Sequence, residues 1–159
     1  MTPTTQGAAN ASATLAVSRR LNAAPEAVAA AWLDAESAAL WLFATPGGVM
    51  ERVRIEPRVG GSFEVFERRG AQLATHFGVY IEIDLPRRLV FDFSTERETA
   101  PTRVTVVFEP SGAGCLVTLT HVLDPRWAEY KERIEAGWAG ILIGLERSLM
   151  GHDSKEMRS

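Results

Sequence analysis

The sequence predicts an α+β domain: a curved antiparallel sheet of about seven strands wrapped on a long C-terminal helix, with two short helices after the first strand. Three observations predict it. From Met50 to His121, apolar residues recur at every second position, in segments joined by connections too short for helical crossovers. From Trp127 to Leu149, apolar residues recur at steps of mostly three and four, the period of a helix. Between the first alternating segment and the rest lie two short stretches of helix formers.

The elements follow in order. Residues 1–12 are small and polar without a period and read as a disordered lead-in; residues 13–151 read as one domain and residues 152–159 as a polar tail. Leu15, Val17 and Leu21 mark the first strand. Pro25 suits the first turn of a helix, Glu26 sits near its positive end, and Val28 and Trp32 share a face four residues apart. A second helix near Ala35 to Leu42 is stopped by Pro46-Gly47-Gly48. Val53 and Ile55 alternate with charged residues, and Val59-Gly60-Gly61-Ser62 turns the chain into Phe63, Val65 and Glu67. Phe77, Val79, Ile81 and Ile83 alternate up to Asp84-Leu85-Pro86. Leu89, Phe91 and Phe93 follow, then Val104, Val106 and Phe108, and after a Pro-Ser-Gly-Ala-Gly loop the last strand runs from Leu116 to His121. The final helix is expected soon after Pro125 and to about Met150, with Gly151 ending it, roughly 35 Å in all. Its stripe must be buried, and one sheet face must be covered.

Composition narrows the function. The chain has 159 residues, 46% hydrophobic and 23% charged, as in a folded single domain. The net charge of −3, from 17 Lys and Arg against 20 Asp and Glu, argues against a broad basic surface, so no nucleic-acid partner is expected. No apolar run approaches the roughly 20 residues of a membrane span, and the N-terminus lacks a basic start and an apolar stretch, which points to the cytoplasm. Cys115 is the one cysteine; with no Cys pair and no His-x-x-x-His, neither a metal nor another cofactor is expected. Gly60-Gly61 lacks the Gly-Lys-Ser/Thr of a phosphate loop, and no serine stands in a Gly-x-Ser-x-Gly elbow.

Val59-Gly60-Gly61-Ser62-Phe63-Glu64, Gly78-Val79-Tyr80-Ile81-Glu82-Ile83, Pro86-Arg87-Arg88-Leu89-Val90-Phe91, Val117-Thr118-Leu119-Thr120-His121 and Glu135-Ala136-Gly137-Trp138 occur in that order. Together they resemble the helix-grip superfamily (START/Bet v 1-like, SRPBCC), which includes steroidogenic-acute-regulatory-related lipid-transfer domains and polyketide cyclases. Within it the chain resembles the family named after the C-terminal domain of the activator of the Hsp90 ATPase. The resemblance implies a helix-grip fold over roughly residues 13 to 150. Phe93 stands where many relatives carry Trp. The eukaryotic activator's separate N-terminal chaperone-binding domain has no counterpart in this sequence, so direct stimulation of the chaperone is not expected.

Four tryptophans and seven phenylalanines either fill the core or line an apolar pocket between sheet and helix. The pocket reading takes Trp32, Trp41, Phe63, Val65, Tyr80, Phe91, Phe93, Trp138 and Leu142 as its wall. His76, which shares strand parity with Tyr80, and His121, at a strand end near Asp124 and Trp127, are its polar handles. His121 alternatively serves as a boundary histidine bonded to backbone, or as a general base. Gly137, Gly140 and Gly144 edge the helix's apolar arc and mean either close packing or empty space. No catalytic residue is assigned; Asp92, Glu64 and Glu82 could supply an acid or base in a cyclase-like site, but alternation puts most strand carboxylates on the solvated face. The expected partner is a small hydrophobic or amphipathic molecule, with a homodimer left open. A cyclase- or dehydratase-like enzyme using the same cavity and a protein-interaction module acting through the outer sheet face are the alternatives.

Overall fold

The computed structural model describes residues 14–96 and 99–158, with side chains as far as residue 150. The expected lead-in, and the side chains of the expected tail with His152, lie outside the described residues. Strand β1 (Thr14–Leu21) leads into α1 (Pro25–Ala31) and α2 (Ala35–Trp41), followed by β2 (Val49–Ile55), β3 (Ser62–Arg69), β4 (Gln72–Asp84), β5 (Arg88–Ser94), β6 (Thr102–Ser111) and β7 (Gly114–Val122). A 3₁₀ turn (Pro125–Tyr130) precedes α3 (Lys131–Arg158). Helix α1 starts with Pro at its first position and Glu26 in its first turn. Helix α2 is capped by the Asp34 carboxylate, which accepts from the Glu36 N–H at 3.2 Å.

The seven strands form one curved antiparallel sheet in the order β1-β7-β6-β5-β4-β3-β2, so the two helices after β1 carry the chain from one edge to the other. Register sets the inner face row by row. Tyr80 lies opposite Phe91, Phe91 opposite Val104, Val104 opposite His121, and His121 opposite Leu15. All five side chains are buried. On β4 the inner parity is His76, Gly78 and Tyr80, so the apolar alternation of Val79 and Ile81 falls on the outer face, where both are exposed. A register shift between Tyr80 and Glu82 then returns Ile83 to the inner side, opposite Leu89. Gly78 is required by its neighbour: a Cβ there would sit 1.9 Å from the Phe63 ring, which occupies that space and meets Tyr80 and Phe91 at centroid distances of 5.7 and 5.2 Å.

Helix α3, 28 residues and about 42 Å long, closes the concave side with Trp138, Leu142 and Leu145 buried. It starts later and ends later than the periodicity predicts. The residues after Pro125 form a 3₁₀ turn, which has three residues per turn in place of 3.6 and swings Trp127 and Tyr130 off the buried stripe. Both rings are exposed and pack on each other at 5.7 Å, with Arg126 over one and Arg133 over the other. At the far end the helix runs through Gly151 to Arg158. A helical glycine costs about 1 kcal/mol but ends a helix only when it turns left-handed, and Lys155, Glu156, Met157 and Arg158 are good helix formers.

One hydrogen-bonded chain fastens this helix to three strands. The Trp138 indole N–H donates to His121 Nδ1 at 3.0 Å. The other ring nitrogen, Nε2, lies 2.7 Å from Thr102 Oγ1, and that hydroxyl donates to the Phe93 carbonyl at 3.4 Å. Because Nδ1 accepts, Nε2 carries the proton and donates to Thr102. Burial lowers the His121 pKa to about 4, so the ring is neutral at physiological pH.

Two outcomes are expected. Gly78→Ala should destabilise by about 1–3 kcal/mol in urea unfolding, because the added methyl enters the Phe63 ring. Adding Phe63→Leu to the variant should recover part of the loss. His121 binds a proton more readily unfolded (near 6.5) than folded (about 4), so stability should be full above pH 6.5 and fall as the pH drops toward 4. Between pH 7 and pH 5 its share is about 2 kcal/mol, and His121→Gln should remove that share from the measured slope.

Candidate functional site

Between α2, the sheet and α3 lies an open, mostly apolar cleft of about 1020 Å³, at the upper end of the range for small-molecule sites. Its walls come from the end of α2 and the following loop, from the inner face of β3, β4 and β5, and from one side of α3. A smaller hollow of about 420 Å³ opens on the outer sheet face, but its acids Glu64 and Asp92 are held by Arg52 and Arg103 at 2.6 and 2.5 Å.

The cleft's volume is written into α3. Gly137 and Gly140 line it, and a Cβ built on either meets nothing within 4 Å. Each therefore forgoes about 1 kcal/mol of helix propensity without a packing gain. Gly144 differs: its Cβ would touch Trp41 at 3.4 Å, so there the glycine serves the approach of α2 to α3. Of three glycines on one edge, two preserve space and one permits contact.

The polar centre of the cleft is His76, 8% exposed. Its Nδ1 lies 3.1 Å from the carbonyl of Val65, its direct partner across β3 and β4, and so donates to it. Burial, with the nearby Arg69 charge adding to it, lowers its pKa to about 4. The neutral ring then keeps Nε2 as an acceptor with no hydrogen-bond partner among the described residues. One face of the imidazole is covered by Phe43, parallel within 2° at 4.1 Å. Phe43 has a φ of +58°, a left-handed conformation unfavourable for a bulky residue. It is fixed there by this stack, by Phe93 at 5.3 Å and by Arg69 Nη2, which donates to the Phe43 carbonyl at 3.1 Å.

Arg69 is held in turn by Glu67. That carboxylate, 1% exposed, accepts from Arg69 Nε at 2.7 Å, from the Thr45 N–H at 2.8 Å and from the Thr45 hydroxyl at 3.0 Å. Burial alone would raise its pKa; the three hydrogen bonds outweigh burial and hold it below the usual carboxylate range. Glu67 thus ties the loop wall to β3, and Gly48 leaves room for it, since a Cβ there would fall 2.0 Å from Glu67 Oε2.

Of the residues the sequence reading puts on the wall, Trp41, His76, Phe93 and Trp138 line the cleft. Phe63, Val65, Tyr80, Phe91 and Leu142 stand in the packed core beside it. Trp32 packs edge-on against Trp41 at 4.9 Å and Phe108 at 6.4 Å, its buried indole N–H without an acceptor among the described residues. His121 lies behind the wall with both ring nitrogens engaged, which leaves it no lone pair for proton transfer. Glu64, expected on the solvated face, is instead buried, where its pairing with Arg52 keeps the charge matched; Asp92 is paired with Arg103, and Glu82 lies within 3.3 Å of Arg88. Cys115 is buried, and burial raises its thiol pKa.

Sequence reasoning missed Phe43, Thr45, Arg69 and Arg147, all of which line the cleft. Strand parity could have found Arg69, which continues the inward series Phe63, Val65 and Glu67. Nothing local announces Phe43, whose place depends on contacts from β3, β4 and β5.

Among the described residues no helix is long and apolar enough to cross a membrane, and no group of three or more His, Cys, Asp or Glu could hold a metal. Among curated proteins none matches the chain. Solved structures share its fold. A protein from Nitrosomonas europaea is 17% identical with a TM-score of 0.77, covering 89% of this chain and 96% of its own. An AHSA1-like protein from Aeromonas hydrophila is 24% identical with a TM-score of 0.76, covering 88% and 94%. A protein from Rhodobacter sphaeroides is 22% identical with a TM-score of 0.77, covering 88% and 95%. Residues 22–149 match the family model described as activator of Hsp90 ATPase homolog 1-like protein, and the chain belongs to that family.

Proposed function

We propose that the protein binds a small hydrophobic or amphipathic molecule in the cleft between α2, the sheet and α3. The observation that carries this reading is the open apolar space kept clear by Gly137 and Gly140. Removing apolar ligand surface from water, at roughly 25 cal/mol per Å², supplies affinity, and His76 Nε2 accepts one hydrogen bond that orients the ligand. Family membership supports it, because the superfamily commonly binds ligands. The reading keeps the cytoplasmic location and leaves a homodimer open.

The enzyme alternative has less support. Among the described lining residues His76 is the one imidazole, and a pKa near 4 makes it a weak base at neutral pH. Among the described residues no carboxylate lines the cleft to complete an acid–base pair. The interaction-module alternative expects a filled interior, whereas the cleft is open.

Trp41 and Trp138 line the cleft, so ligand entry should change tryptophan fluorescence. Titration with neutral N-phenyl-naphthylamine and with a fatty-acid, sterol, flavonoid and polyketide panel should give a saturable change for at least one class. Gly140→Phe should abolish that change while keeping a cooperative melt, because its ring occupies the vacant space. No saturable response from any class would overturn the reading. Gly137→Ala and Gly140→Ala should each stabilise the free protein by up to about 1 kcal/mol, measured by urea unfolding.

A further inference from the structure

We infer that the ligand is an amphipathic monoanion, with a carboxylate on an apolar body; this rests on the cleft reading above and names the class of molecule. The chain as a whole is acidic, with 20 Asp and Glu against 17 Lys and Arg. The cleft inverts that balance: among the described residues its charged lining is Arg69 and Arg147, with no Asp or Glu.

The two arginines differ in what surrounds them. Arg69 uses Nε on Glu67 and one Nη2 hydrogen on the Phe43 carbonyl. Glu67 cancels its charge, but the same contacts hold the guanidinium in one orientation, with Nη1 hydrogens still to donate. Arg147 has no carboxylate within ion-pair distance among the described residues. The adjacent acid, Glu146, is bound to Arg19 at 2.7 Å on the other side of the helix edge. Among the described residues the lining therefore carries one positive charge without an acidic partner and one pre-oriented donor, both at the solvent-exposed mouth of the cleft.

The third polar element discriminates further. His76 is nine-tenths buried, is held neutral by its surroundings, and offers the cleft an acceptor. It suits a hydroxyl or amide N–H on the ligand body, while the arginines take the anionic end. Among the described lining residues a cationic ligand would meet two guanidiniums and no carboxylate. A fully apolar one would leave Arg147 and His76 partly desolvated with nothing gained.

The test compares charge at constant shape. Dansylaminoundecanoate and its primary amide are titrated into the full chain and read by dansyl fluorescence. The carboxylate should bind about tenfold more tightly or better, because only the acid adds a charge-assisted hydrogen bond to a guanidinium. Raising the salt concentration should shrink that ratio. Arg147→Gln should bring the acid-to-amide ratio near one, and Arg147→Lys should restore part of it, with circular dichroism and the melting curve confirming a native fold in each. Equal affinities of acid and amide in the wild-type protein would overturn the inference and leave the cleft reading standing. An Arg147→Gln ratio equal to wild type would overturn it as well. Absence of binding by the acid, the amide and neutral N-phenyl-naphthylamine alike would remove the cleft reading, and this inference with it.

Discussion

The hydrogen-bonded chain from Trp138 through His121 and Thr102 to the Phe93 carbonyl is the constraint on which the geometry of the concave side depends. Hydrophobic burial alone would let a long helix slide or roll on a curved sheet, since apolar contact is non-directional. A relay with a fixed donor and acceptor at each step allows one position. Histidine suits the middle, because a neutral imidazole accepts at one ring nitrogen and donates at the other. Protonation would set an N–H against the Trp138 N–H, so burial and hydrogen-bond geometry both favour the neutral ring. Two of the residues it fixes, Trp138 and Phe93, are cleft wall, and their rings pack at 5.9 Å.

With the helix pinned, the space beneath it is decided by side-chain size. At one end Trp41 and Trp32 fill the concavity together with Phe108. Toward Phe93 and His76 the helix presents glycine instead, and the volume remains. A helix that simply maximised stability would place alanine or leucine at both open positions. The cleft is therefore a feature the chain maintains against its own packing preference, as is the left-handed Phe43 that forms its lip.

Much of the fold was legible because periodicity is a global signal. Seven alternating segments and one helical stripe leave little choice of architecture once short connections require antiparallel order. The two short helices and their stops were equally plain from Pro25, Pro46 and the glycines after it. Legibility failed where one residue of register mattered. The apolar alternation of Val79 and Ile81 marks the outer face of β4, while the inner face is written in His76, Gly78 and Tyr80. The 3₁₀ turn moved Trp127 and Tyr130 out of the stripe for the same reason, a change of period that composition does not reveal. For the site, Trp41, His76, Phe93 and Trp138 of the candidates line the cleft, and the others pack in the core or behind the wall. Which of them face space and which face one another is set by cross-strand register and by Phe43, a loop residue whose conformation depends on three strands.

The two buried histidines show how one residue type divides between structure and function. Both lie at inward strand positions, both are held neutral by burial with pKa values near 4, and both pack against Phe93, His76 at 6.1 Å and His121 at 5.9 Å. What separates them is the number of ring nitrogens the protein uses. His121 has two partners, Trp138 and Thr102, and is closed. His76 has one, the Val65 carbonyl, and Phe43 covers a ring face without touching the remaining nitrogen's hydrogen-bonding capacity. The protein keeps this acceptor beside space held open by two glycines, a guanidinium oriented by Glu67 and the guanidinium of Arg147. The acceptor comes from β4, the space and Arg147 from α3 and the oriented donor Arg69 from β3, and a single guest with an apolar body, one hydrogen to donate and one negative charge would satisfy them together.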